Sequence, residues 1–189
     1  MISLPQPDKT GGMPLMDALS KRCSSRSFSS KELDLQTLSN LLWAACGVNR
    51  LENGLRTAPS AVNWQEIEVY ICLKEGVYLY KPNENTLLPY MDKDIREATG
   101  RQPFVRSAPL CLIYVVDFNR IKDRTDEMKH WYSAADTAFI AQNVYLFCAS
   151  SGLANVVIGA VDKSVLKNIL NLPEYKHVTM CHCIGYHNI

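Results

Sequence analysis

Arg22-Cys23-Ser24-Ser25-Arg26-Ser27-Phe28 sets two guanidiniums around a hydroxyl at every second position. In an extended chain alternate side chains share a side, so Arg22, Ser24 and Arg26 would face one ligand together. Arginine forks bind phosphate or carboxylate through paired N–H donors, which makes this an anion seat. The same spacing also describes a solvated basic turn.

Three further segments offer polar or close-approach chemistry. Thr57-Ala58-Pro59-Ser60-Ala61-Val62-Asn63-Trp64-Gln65 predicts a turn followed by a short helical piece, with free N–H groups and side-chain amides for a polar ligand or for capping. In Gly100-Arg101-Gln102-Pro103-Phe104, Gln102 presents a donor and an acceptor together, matching the edge of a pyrimidine-type ring. In Val156-Val157-Ile158-Gly159-Ala160-Val161-Asp162, Gly159 allows backbone to approach a flat ligand, although the segment also reads as a plain strand-to-helix connection capped by Asp162.

His177…Cys181-His182-Cys183…His187 has the residue types of a metal site but not the geometry. In a strand, Cys181 and Cys183 share a face ~6–7 Å apart while His182 points to the other. Two thiolates on one zinc, each bonded at ~2.3 Å, lie under ~4 Å apart. No metal is expected. G-x-G-x-x-G, Walker A and G-x-S-x-G motifs are absent, so neither a Rossmann dinucleotide site, a P-loop nor a nucleophile elbow is supported.

The elements that must position these segments follow from periodicity and caps. Helices are expected over Met13–Lys21, Leu35–Cys46 (capped by Asp34, stopped by Gly47), Asp92–Thr99, Ser133–Ser150 (closed by Gly152) and Val165–Leu170. Ser133–Ser150 is apolar nearly all round and should be buried. Strands are expected at Glu68–Leu73 and Val77–Tyr80, joined by a hairpin turn, at Leu110–Val116 in the sheet centre, and at Val178–Tyr186. Helices on both sides of such strands make an α+β fold with a mixed sheet.

Composition narrows the function classes. The 189 residues suit one domain, 1–189, with residues 1–12 as a loose N-terminal arm. Apolar residues make up 47% and charged residues 21%, enough apolar material to offset the entropy of folding. Twenty Lys and Arg against nineteen Asp and Glu leave a charge of +1, so no nucleic-acid partner is expected. No apolar run approaches a membrane span, and none is expected to bind a membrane. Seven cysteines, an odd number set mostly in apolar segments, fit reduced thiols and a cytoplasmic location.

Taken in order, these segments resemble the FMN-dependent nitroreductase family. R-x-S-x-R-x-F after the first helix is Arg22–Phe28, and P-S-x-x-N-x-Q is Pro59–Gln65. A polar residue before an A-P-plus-apolar strand is Gln102 with Ala108–Val116. Gln142-Asn143, Gly152–Asp162 and Ile184-Gly185-Tyr186 complete the order, so the likeness runs from Leu15 to Tyr186. The compact form resembles short bacterial members, and also the dehydrogenase subunits that oxidise azolines in peptide maturation.

The resemblance implies a mainly antiparallel sheet flanked by helices in an intertwined homodimer, with FMN in each of two interfacial clefts. It implies that Arg22 and Ser24, with Cys23 between them, hold the FMN phosphate, and that Arg26 lies by the N1/O2 edge and favours the anionic reduced flavin. Gln102 would bind the pyrimidine edge, and Val157, Ile158, Gly159 and Ala160 would face the ring. Ser60, Ala61 and Asn63 would come from the other subunit, with Pro59 also among the cofactor-binding residues. The implied activity is NAD(P)H-driven, ping-pong reduction of a small acceptor such as a nitroaromatic or quinone. A specialised azoline dehydrogenase and a non-catalytic flavin-binding protein are the alternatives. Acceptor pockets would be built from the loops Asn83–Asp92 and Asn119–Tyr132. Two departures stand out. Where many members place Lys or Arg beyond I-G-Y, only His187 is available, unless another cation substitutes. Trp64 and Glu66 flank Gln65 in place of the usual small residue and Pro, which would reshape the cleft rim.

Overall fold

The computed structural model describes residues 1–188. In chain order its elements are β1 (Ile2–Ser3), α1 (Leu15–Lys21), α2 (Leu35–Cys46), β2 (Val48–Arg50), β3 (Leu55–Arg56), β4 (Ile67–Leu73), β5 (Gly76–Lys81), β6 (Thr86–Met91), β7 (Leu110–Asp117), α3 (Asp126–Ser151), β8 (Leu153–Ile158), α4 (Lys163–Ile169) and β9 (Lys176–Tyr186). Seven strands form one sheet in the order β1-β6-β5-β4-β7-β9-β8, with every pairing antiparallel. β2 and β3 make a separate ribbon. The α+β class matches the sequence reading and the antiparallel character matches the resemblance, but the sheet is not mixed: every pairing among the described strands is antiparallel.

β7 sits at the centre because its apolar run can be buried on both faces. Leu110, Leu112, Tyr114 and Val116 enter the core under α2 and α3. Cys111, Ile113 and Val115 enter the opposite core, which α4 covers. Six cysteines are buried and Cys23 is exposed, all seven as free thiols.

The caps act where side-chain chemistry places them. Asp34 accepts from the Thr37 N–H at 2.8 Å, and Asp162 from the Val165 N–H at 3.1 Å. Gly152 ends α3 in the left-handed region (φ 67°), a conformation that costs glycine little.

Several expectations are corrected. Residues 1–12 are not loose throughout: β1 pairs with Thr86–Leu87, Leu4 is buried, and Pro5 O accepts from Ser39 Oγ (2.5 Å) and Asn85 Nδ2 (2.9 Å). Asn83–Asp92 is mostly strand β6 rather than a loop, because Leu87 fills the core and its backbone pairs with β5; Asn83 and Glu84 still border a cavity. Within Asp92–Thr99 only a 3-10 turn forms, at Arg96–Thr99. Asn119–Tyr132 is largely ordered structure, with α3 starting at Asp126 under a Thr125 cap. α3 is not buried all round: Trp131 and Phe139 face outward. Glu66 does not shape a rim, because it is fully buried.

Candidate functional site

The chain leaves α1 at Arg22, and the Ser25 N–H donates to Asn155 O at 2.9 Å. That bond lays the Arg22–Arg26 segment beside β8. The Arg22 guanidinium stands 5.3 Å from the centre of the Tyr145 ring, and Ser24 Oγ lies 2.9 Å from the Tyr145 hydroxyl. Arg22 and Ser24 therefore project to one side, as the alternation requires. Arg26 is exposed and makes no ion pair among the described residues.

At the end of β8 the Val157 N–H donates to the Tyr145 hydroxyl at 3.0 Å. Gly159 and Ala160 follow, both exposed, and a Cβ on Gly159 would meet nothing within 4 Å. Gln102 reaches the same end of the strand. A Cβ on Gly100 would lie 3.0 Å from Gln102 Oε1 and 3.0 Å from Ile158 Cγ2, so a larger residue there would push the two apart. Gln102 Oε1 is buried and has no hydrogen-bond donor. An orphaned carbonyl of this kind costs free energy on the order of 1–3 kcal/mol until a donor arrives. Gln102 and Arg101 border a recess of about 510 Å³.

His187 pairs its backbone with Phe28 and shares a recess of about 200 Å³ with Lys21, Cys23 and Asn155. Lys21 is thus a cation beside the anion seat that the sequence reading left out.

Beneath this surface runs a buried polar chain. His182 is fully buried, with Nε2 2.9 Å from Asn155 Oδ1 and Nδ1 3.1 Å from the Tyr114 hydroxyl. A neutral ring satisfies both contacts, donating from Nε2 and accepting at Nδ1. Burial holds its pKa down at about 3, so it stays neutral. His182 pairs with Leu112 on one face of the sheet, while Cys181 and Cys183 lie on the other. Among the described residues no cluster of His, Cys, Asp and Glu has metal-site geometry.

Pro59, Ser60, Ala61 and Asn63 lie elsewhere. The Ala61 N–H donates to Asp136 Oδ2 at 2.9 Å, and Ser60 Oγ accepts from the Gln65 N–H at 2.9 Å. Asp136 and Tyr145 are nine residues apart on α3, about 13 Å along its axis. Within one chain no hydrogen bond joins Pro59–Asn63 to Arg22–Arg26, Gln102 or Gly159 among the described residues. The loop is strained, with Val62, Asn63 and Gln65 at φ 50°, 57° and 50°. A β-branched residue there costs on the order of 1–2 kcal/mol, and Asp136, Ser60 and Arg120 (Nη1 to Gln65 O, 2.8 Å) hold it in place.

The family model for the nitroreductases matches residues 19–186. The chain belongs to the nitroreductase family. A nitroreductase homologue of Methanocaldococcus jannaschii is 33% identical over 176 residues, spanning 88% of each chain. The crystal structure of a nitroreductase-like protein from Ralstonia eutropha JMP134 superposes with a TM-score of 0.95 at 41% identity, covering 100% of this chain and 90% of that one. The FMN reductase [NAD(P)H] of Bacillus subtilis is 25% identical over 146 residues, 68% of this chain and 51% of that protein. These likenesses make the nitroreductase-family chain an oxidoreductase. Tyr145 and Asn155 are site-supporting residues that the sequence reading missed. Tyr145 read as one more ring of an apolar helix, and no spacing signals a hydroxyl that reaches Ser24.

Proposed function

We propose that this nitroreductase-family chain is an FMN-dependent oxidoreductase that takes electrons from NAD(P)H and passes them, ping-pong, to a small acceptor such as a nitroaromatic or quinone. The observation that carries the reading is the placement along β8 of an arginine–serine anion seat beside Asn155 and Val157 and, past Ile158, of a buried carbonyl lacking a donor and an open glycine backbone. The residues fit the group. Arg22, Ser24 and Lys21 would hold its phosphate, with Cys23 and His187 alongside. Gln102 Oε1 would accept from an N–H on the ring edge, and the backbone from Val157 to Ala160 would lie against the ring. When bound, FMN supplies the electron transfer, and the chain needs no nucleophile of its own.

Pro59, Ser60, Ala61 and Asn63 sit too far along α3 to join this cleft in one chain, which favours a homodimer in which a partner supplies them. Arg26, exposed and unpaired among the described residues, is available to the ring edge where reduction builds negative charge.

Titration of the purified protein with FMN tests the reading. Saturable binding with a perturbed flavin spectrum is expected, and Arg22→Ala should weaken it ~10–100-fold through loss of a charge-assisted contact. Anaerobic NADPH should then bleach the bound flavin. No flavin uptake by the wild type would overturn the proposal, and uptake without bleaching would leave a flavin-binding protein rather than a reductase.

A further inference from the structure

Arg56, at the end of β3, has a buried Nε–H with no acceptor and forms no ion pair among the described residues. Burial is the main influence on its guanidinium and works against the charge. Its neighbours do not relieve this. The Cys46 thiol is fully buried and pushed up to about 11, so it stays neutral. The Tyr80 hydroxyl is engaged by Asn85 Oδ1 at 3.1 Å. Arg120 adds a like charge. Glu66 is turned to Asp136, and neither of its oxygens meets a hydrogen-bond donor. A half-buried guanidinium whose Nε–H lacks an acceptor is costly, and a nearby anion would offset the charge.

Arg56 faces a cavity of about 300 Å³. Ile67, Val69 and Leu79 contribute narrow apolar strips to its lining, and Lys81 adds positive charge. Its inner carboxylate is already committed: Glu68 pairs with Lys176 at 2.7 Å and with Arg120 at 3.5 Å. Glu84 is exposed. The volume is at the lower end for small-molecule sites, room for a ligand of a few carbons.

We propose that this cavity binds a small aliphatic monocarboxylate, its carboxylate on the Arg56 fork and its hydrocarbon body against Ile67, Val69 and Leu79. The guanidinium gains carboxylate acceptors, and the hydrocarbon body of the ligand leaves water. Inorganic anions would satisfy only the first requirement. Within one chain the cavity lies apart from the cleft at the end of β8, and the proposal does not rest on the flavin reading.

Calorimetric titration of the full-length protein with isovalerate tests this, with isoamyl alcohol and inorganic phosphate as comparison ligands at matched ionic strength. Saturable isovalerate binding is expected, the same with and without FMN, with the alcohol and phosphate each at least ~10-fold weaker. Arg56→Gln should weaken isovalerate ~10–100-fold. With isotope-labelled arginine, the Arg56 Nε–H resonance of the wild type should shift on titration, a readout that needs no variant. The assignment is overturned by absence of saturable binding, by an unmoved Arg56 resonance, by equal affinity in a folded Arg56→Gln protein, by phosphate binding as tightly, or by competition with FMN.

Discussion

Tyr145 accepts the Val157 N–H at 3.0 Å, and its hydroxyl lies 2.9 Å from the Ser24 hydroxyl, a bond in which either group can donate. One side chain of α3 therefore joins the Arg22–Arg26 segment to the end of β8. With Tyr145 donating, the Ser24 proton is left to donate outward to an anion. Tyr145→Phe keeps the ring beneath Arg22 but removes both hydroxyl bonds. We expect FMN affinity to fall ~3–10-fold and stability to fall by about 1–2 kcal/mol, because the Val157 N–H loses its acceptor. Flavin titration and denaturant unfolding measure the two effects. If both are unchanged, Tyr145 is packing alone.

Arg26 differs from Arg22 in being exposed with no ion pair or ring contact among the described residues, which suits a charge reserved for the flavin ring. Such a charge should bind reduced flavin better than oxidised. Arg26→Met keeps the length and removes the charge. The expected result is a midpoint potential lower by ~30 mV, equivalent to ~1.4 kcal/mol for a two-electron couple, with little loss of oxidised FMN affinity. Redox titration of the loaded protein decides. An unchanged potential would return Arg26 to the solvated surface.

The contrast between Arg22 and Tyr145 shows what a linear reading can reach. Local chemistry was legible: Asp34 and Asp162 cap, Gly152 stops a helix, and Leu110–Val116 is apolar on both sides of its alternation. That Arg22 and Ser24 share a side was legible because two-residue spacing is itself the geometry of an extended segment. β6 was hidden because Pro89 interrupts its pattern, although its backbone still pairs with β5 and β1. Contacts between distant positions leave no local mark. Tyr145 lies 121 residues from Ser24, and Asp136 lies 75 residues from Ala61. Glu66 read as a rim residue because nothing in its neighbours announces that the chain turns it inward.

The outward face of α1 and α3 carries apolar side chains that a lone chain would leave wet. Leu15, Met16 and Leu19 are exposed on α1, and Trp131 (67%) and Phe139 (47%) on α3. Together with a Pro59–Asn63 loop remote from the cleft, this predicts a homodimer. Phe139→Asp should shift it to monomer and weaken FMN binding together, since the partner's loop is lost with the interface. Sedimentation velocity on both proteins tests this. A wild type that sediments as a 21.3 kDa monomer with FMN bound removes the dimer from the argument.

Glu66 predicts an unusual pH dependence of stability. Its side chain is fully buried beside Asp136, and burial, the largest cause, lifts its pKa from 4.5 to about 7. The Asp136 carboxyl on α3 raises it further, and Arg120 partly offsets the rise. A raised folded pKa means that the native state holds the proton more tightly than the unfolded chain. The associated stability is complete below pH 4.5 and is lost as pH climbs to about 7, by on the order of 3 kcal/mol in all. Glu66→Gln replaces the carboxyl by a neutral amide of the same shape, which can donate to Asp136 at every pH. The two proteins should therefore be of similar stability near pH 5. The variant should be the more stable above pH 7. Titrating groups remote from Glu66 are present in both proteins and cancel in the difference. Urea unfolding across this range, at one protein concentration so that any dimer contributes equally, gives the comparison. Parallel pH profiles for the two proteins would mean that Glu66 is ionised and paired in the native state at neutral pH, with Arg56 and Arg120 as the cations nearest to it.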